Sequence, residues 1–118
     1  LTIMTLGQHQ EAFMRDVSKL LIYLHQNGYE VRGGELLRTP EQQEIYMRTG
    51  KSKTNKSNHL VKCAIDLFIF KDGQWLQDKA SLEPIGRYWC SLCEINQAGM
   101  FYQSFIDTPH FERRVQQP

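Results

Sequence analysis

Val61-Lys62-Cys63-Ala64-Ile65-Asp66-Leu67-Phe68-Ile69-Phe70 alternates. Val61, Cys63, Ile65, Leu67 and Ile69 fall on one side of an extended chain, and Lys62, Ala64, Asp66, Phe68 and Phe70 on the other. This predicts a strand, which Lys71-Asp72-Gly73 then turns. The segments around it read differently. Between Thr5 and Asn27, Phe13, Val17, Leu20, Leu21 and Leu24 recur at helical spacing, with Thr5 and Gln8 as a capping box and Gly28 as a stop. A short extended piece, Tyr29 to Leu37, leads into Thr39-Pro40-Glu41-Gln42, the start signal of a second, short helix to about Arg48. Thr49 to Asn58 is polar and aperiodic and reads as a loop. Pro84 is expected to open a third helix to about Gln97, burying Ile85, Tyr88, Trp89, Leu92 and Ile95, with Gly99 ending it. Two short extended pieces, Met100–Tyr102 and His110–Val115, close the chain. No regular β-α-β alternation is present, so the expected class is α+β, a small antiparallel sheet packed with about three helices.

A chain of 118 residues suits one domain, since compact domains commonly run to roughly 100–150 residues. Residues 1–118 are expected to form it without a linker. With 41% hydrophobic and 23% charged residues, the composition is that of a globular protein. The net charge of +1 supplies no broad positive field for nucleic acid or anionic lipid. A local basic run, Lys51, Lys53, Lys56 and Lys62, reads as a solvated loop. Cys63, Cys90 and Cys93 are too few for a disulfide framework and suggest a chain that folds reduced. Cys90 and Cys93 read as two small apolar residues on one helical face, because no second pair completes four metal ligands. No run reaches the ~18 apolar residues of a membrane span, and Arg15, Asp16 and Lys19 interrupt the one stretch that could imitate a signal-peptide core. The chain opens on Leu1, which fits a processed or trimmed N-terminus.

Asp66 stands between Ile65 and Leu67, where an ionised carboxylate costs several kcal/mol unless a cation or donors compensate it. A metal ion is one compensation; an Arg or Lys partner, or a place on the open side of the sheet, is another. His59 precedes the strand and His110 lies far downstream in Asp107-Thr108-Pro109-His110-Phe111-Glu112. Two imidazoles and a carboxylate are the ligand set of many catalytic zinc sites, leaving the fourth position open. His9 and His25 read as ordinary surface or half-buried residues of the first helix.

The pattern Ser57-x-His59-x-x-x-x-Ala64-x-Asp66, followed by Asp107-x-x-His110, resembles the zinc D-alanyl-D-alanine carboxypeptidase superfamily. The closest branch is that of the phage endolysin L-alanyl-D-glutamate peptidases. Leu37-Arg38-Thr39 with Gln43, and Pro109-His110-Phe111-Glu112, look like that branch too, so the likeness spans about Arg38 to Glu112. The resemblance implies one catalytic domain with zinc held by His59, Asp66 and His110 at the edge of the sheet. It makes Asp107 the general base, Arg38 the group that polarises or anchors substrate, and Ser57 a substrate-contacting residue. The implied substrate is the peptidoglycan stem peptide, cut by a phage or prophage lysin. Such a lysin is expected to be a monomer without nucleic-acid or membrane partners, held in the host cytoplasm until its release to the cell wall. A D-alanyl-D-alanine carboxypeptidase or dipeptidase is the alternative within the class, and a non-catalytic zinc-stabilised binding domain the alternative outside it. In the bland reading Arg38 pairs with Glu35 or Glu41. One departure stands out: Lys62 replaces the family's glycine, so the passage from loop to strand is expected to be strained or altered.

Overall fold

The computed structural model describes residues 3–52, 54 and 56–117. Leu1 and Lys53 lie outside the described residues.

The first helix, α1 (Leu6–Gln26), begins as its sequence dictates. Thr5 accepts from the Gln8 amide while the Gln8 side chain accepts from the Thr5 amide. Strand β1 (Glu30–Gly33) follows, then α2 (Pro40–Arg48), whose cap Thr39 accepts from the Gln42 amide. Strand β2 (Ala64–Lys71) and strand β3 (Gln74–Leu76) form a hairpin through the two-residue turn Asp72-Gly73, both at positive φ. Then come α3 (Lys79–Leu92), β4 (Asn96–Ala98) and β5 (His110–Arg113). The sheet is antiparallel and runs β1-β2-β5-β4, with β3 paired to β2 beside β5. Three helices on a small antiparallel sheet make the α+β class expected from the sequence.

Several boundaries differ from the sequence reading: β1 ends at Gly33, not Leu37, and β5 at Arg113, not Val115. Strand β2 begins at Ala64, not Val61, because Asn58–Val61 forms a turn of 3-10 helix and Lys62 ends it in the left-handed conformation. Helix α3 starts at Lys79, where Asp78 accepts from the amide and hydroxyl of Ser81, so Pro84 sits inside it. It stops at Leu92. Cys93 turns extended and the Asn96 side chain donates to the freed Trp89 carbonyl, so Asn96–Ala98 is strand and not helix. Met100 correspondingly lies in a short 3-10 turn, Gly99–Phe101. Cys90 is on α3, but Cys93 is its extended cap and accepts from Arg113.

Leu67 and Ile69 of β2 and Phe111 of β5 meet Phe13, Leu20 and Leu24 of α1 and Ile85 and Trp89 of α3 in one core. The rings of Phe13, Trp89 and Phe111 pack edge to face. The Trp89 indole donates to the carbonyls of Gln97 and Glu112, tying α3 to both β4 and β5. Helices α1 and α3 supply the sheet's packed face. Asp66, Phe68 and Phe70, on the alternate residues of β2, belong to its other face. No helix among the described residues is long and apolar enough to cross a membrane.

Lys62 adopts φ 56°, ψ 37°, the left-handed region that favours glycine, and β2 begins two residues later. The expected strain is real and local. A left-handed non-glycine residue costs ~1–2 kcal/mol, and glycine returns ~0.5–1 of that through its freer unfolded chain. Lys62→Gly is therefore expected to stabilise the fold by about 0.5–1 kcal/mol in urea titration. An unchanged or lower midpoint would show that Lys62 sits there without strain.

Candidate metal centre

His59 is delivered by the 3-10 turn Asn58–Val61. Ser57 caps that turn, its hydroxyl accepting from the His59 amide at 3.2 Å, and the Cys63 amide closes it on the Asn58 carbonyl. Asp66 and His110 are delivered by register, for they face each other directly across the β2–β5 ladder. The three side chains meet at the sheet. His59 Nε2 lies 3.3 Å and His110 Nδ1 3.6 Å from Asp66 Oδ1, and the three donor atoms fall within 4.8 Å of one another. Tetrahedral ligands on zinc bonds of ~2.0–2.1 Å sit roughly 3.3–3.4 Å apart, so the spacing suits a small ion. His59 Nε2 and Asp66 Oδ1 are buried without a hydrogen-bond partner. Two lone pairs left facing each other in a protein interior call for a proton or a cation between them, and a metal ion suits the spacing.

The far side of each imidazole is held. His59 Nδ1 lies 3.0 Å from the Leu36 carbonyl, which can only accept, so Nδ1 carries the proton and Nε2 is free to bind metal. His110 Nε2 lies 2.7 Å from Glu112 Oε1, which leaves Nδ1 facing the centre. Glu112 is itself fixed by the Asn58 amide group at 2.9 Å, by Arg114 Nε at 3.1 Å and by the Tyr102 hydroxyl. A carboxylate behind a metal-binding histidine orients the ring and raises its basicity. Burial works against the His110 cation, but the close Asp66 carboxylate and the hydrogen bond to Glu112 outweigh it and raise the pKa to about 9. Burial works to raise Asp66, yet the two imidazoles hold its carboxyl well below the usual range. Both shifts express the same demand for positive charge among three carboxylates. Glu112→Gln keeps the shape and weakens the hold on His110, so metal affinity is expected to fall about 10–100-fold. Competition with a chromogenic chelator measures it, and parental affinity would show Glu112 to be a passive neighbour.

Glu112 was quoted in the sequence motif without a role. The available signal was its place two residues after His110, which puts both on one face of a strand. Tyr102 and the Leu36 carbonyl carried no such signal.

Asp107 stands beside the centre, its Oδ2 3.9 Å from His110 Nδ1. Burial, helped by the charge of Asp66, raises its pKa against the pull of His110. Its backbone is fixed twice: the Asp107 amide donates to the Gly99 carbonyl, and its own carbonyl accepts from the His110 amide. A Cβ on residue 99 would lie 2.1 Å from the Asp107 carbonyl oxygen, so only glycine lets this turn close. Arg38 has the partner of the bland reading, Glu35, together with Gln43 Oε1 at 2.7 Å and Ser57 Oγ at 3.4 Å, and it stacks on Tyr46. It also lines, with Lys56, Tyr102, Asp107 and His110, a cleft of about 400 Å³ over the centre. Ser57 lines the same cleft, but its hydroxyl is engaged in capping the turn that carries His59. His9 accepts from Arg113 and His25 is exposed, both away from the centre.

Fold and centre define a class: an α+β domain whose sheet can hold one metal ion with two histidines and an aspartate, and a second carboxylate beside them. Within that class the chain is similar to the L-alanyl-D-glutamate peptidase of Listeria phage A118. The two are 33% identical over a 104-residue alignment that covers 80% of this chain and 34% of that protein. The chain spans about a third of the length of this curated relative. The fold is shared with the L-Ala D-Glu endopeptidase ChiX of Serratia marcescens, at TM-score 0.71 and 23% identity, over 86% of this chain and 77% of that one. No family model matches. The resemblance to the phage L-alanyl-D-glutamate peptidases, drawn from the motifs, thus extends over the 104 aligned residues.

Proposed function

We propose that this protein is a zinc peptidase that cuts the L-Ala–D-Glu bond of bacterial peptidoglycan stem peptides, as a lysin of phage or prophage type. The observation that carries the reading is the convergence of His59 Nε2, Asp66 Oδ1 and His110 Nδ1, two of them buried and unpartnered, with Asp107 beside them. The phage relative's activity supports the choice of bond.

His59, Asp66 and His110 would hold the ion. When bound, zinc supplies Lewis-acid polarisation and makes water acidic enough to act as a nucleophile near neutral pH. Asp107 takes the proton from the attacking water on its carboxylate as oxygen bonds to the scissile carbonyl carbon in this reading, which its place beside His110 supports. It then returns that proton to the leaving nitrogen as the C–N bond breaks, giving a free carboxylate and a free amine. Burial favours the protonated form of Asp107, which suits a group that must carry a proton between the two steps. Arg38, locked by Glu35, Gln43 and the Tyr46 ring, presents a fixed positive charge to the cleft. D-Glu keeps a free α-carboxylate beside the scissile bond, and Arg38 is suited to face it. Glu112 keeps the His110 ring from turning.

Digesting purified peptidoglycan and identifying the new termini by mass spectrometry tests the assignment. New N-terminal D-Glu is the expected product. New C-terminal D-Ala would move the protein to the carboxypeptidase branch.

A further inference from the structure

Strand β2 carries the metal centre near its start, at Asp66, and the two directions along it differ in chemistry. Asp66 opposes His110 and Ala64 opposes Glu112, so Arg114, two residues further along, lies beyond the Ala64 end. Gln117 binds the carbonyls of Lys56 and Ser57 and brings Lys56 to that end as well. On the same face in the other direction come Phe68 and Phe70, paired with Arg32 and Glu30 of β1, and Phe70 is also paired with Trp75 of β3. Trp75 is 47% exposed, meets the Phe68 ring edge to face and lies nearly parallel to Phe70. Arg32 sits 4.1 Å over the Phe70 ring. The strip is continuous with the centre through Gly34. A Cβ there would come within 2.9 Å of both the Asp66 carbonyl oxygen and the Phe68 ring.

We propose that this aromatic strip is the subsite for the amino sugar that bears the stem peptide, with the peptide's carboxylates running toward the cationic end. The inference rests on the peptidase reading above. Distance supports it. At ~3.4 Å per residue, Phe68 lies roughly 7 Å and Phe70 roughly 14 Å along β2 from Asp66. In peptidoglycan the L-Ala amine is acylated by the lactyl group of the sugar, so two residue-like units separate the sugar from the scissile carbonyl. They span at most about 7 Å. A chain cut at the metal therefore lays its sugar over Phe68 and Trp75. Charge agrees, because D-Glu and the residues after it bring carboxylates that suit Lys56, with Arg38 and Arg114 beside it in their pairs with Glu35 and Glu112. A sugar ring without net charge suits an indole face, with Arg32 and Glu30 beside it as donors and acceptor.

Kinetics on two soluble substrates test this: the stem peptide carrying its N-acetylmuramyl group, and the same peptide with a plain N-acetyl group. Trp75→Ala is expected to lower the kcat/KM preference for the sugar-bearing substrate about tenfold, through KM, with Trp75→Tyr restoring most of it. Circular dichroism confirms that the variants are folded. An equal effect on both substrates, or none, overturns the subsite and leaves the peptidase reading standing. If the parent cleaves neither substrate, the peptidase reading fails instead. The subsite is then decided by titrating the zinc-loaded protein with peptide-free cell-wall oligosaccharide. Binding heat in calorimetry that Trp75→Ala abolishes and Trp75→Tyr largely keeps upholds the strip as a sugar site, and its absence in the parent overturns it.

Discussion

Asp107→Asn is expected to bind zinc as the parent does, to stay folded, and to cleave peptidoglycan at least roughly a hundredfold more slowly. Positioned general bases are worth ~10²–10⁴ in rate, and asparagine keeps the size of the side chain while removing its basic oxygen. The geometry makes the substitution clean. The turn that places residue 107 is held by backbone bonds to Gly99 and His110, which asparagine leaves intact. The parent's rate should fall as acid protonates the carboxylate, because the base works only when ionised. In the variant that limb of the pH profile should vanish. A zinc-loaded Asp107→Asn protein with parental turnover would remove Asp107 from the chemistry and leave it as a turn residue.

Replacing His59, Asp66 or His110 by alanine is expected to abolish detectable cleavage and to empty the site after dialysis. Two remaining ligands hold an ion poorly, and losing even an outer partner of a ligand costs ~10–100-fold in affinity. A chelator should do the same to the parent. The fold should survive both treatments, since the core of α1, α3 and the packed face of the sheet involves none of the three ligands. Zinc content and circular dichroism read the two halves separately. Full occupancy in one variant would strike that residue from the ligand set, and unfolding on chelation would point to an ion that holds the fold together.

The sequence was most informative where a local rule had no competitor. The caps at Thr5 and Thr39 and the turn at Asp72-Gly73 were legible because one or two residues decide each of them. The stretch after Pro84 was misread because proline at a helix start is a common signal. Here it lost to the Asp78 cap, and Asn96 ended the helix from a distance that no local pattern reports. Val61 and Cys63 continued the alternation of β2 in sequence, yet the need to aim His59 bent them out of the strand. The candidate trio was reached through the family resemblance that its motif carries, and not from the residues alone; the structure brings the three together. Its supporting shell was not legible: the Leu36 carbonyl is backbone, and Tyr102 reaches Glu112 through a loop.

The direct opposition of Asp66 and His110 across the ladder makes the metal a gauge of strand alignment. A slip of one residue between β2 and β5 would send one ligand to the packed face and leave the other on the open one. A chain misaligned in that way cannot assemble the trio. An ion present during refolding therefore rewards a single pairing of two segments far apart in the sequence.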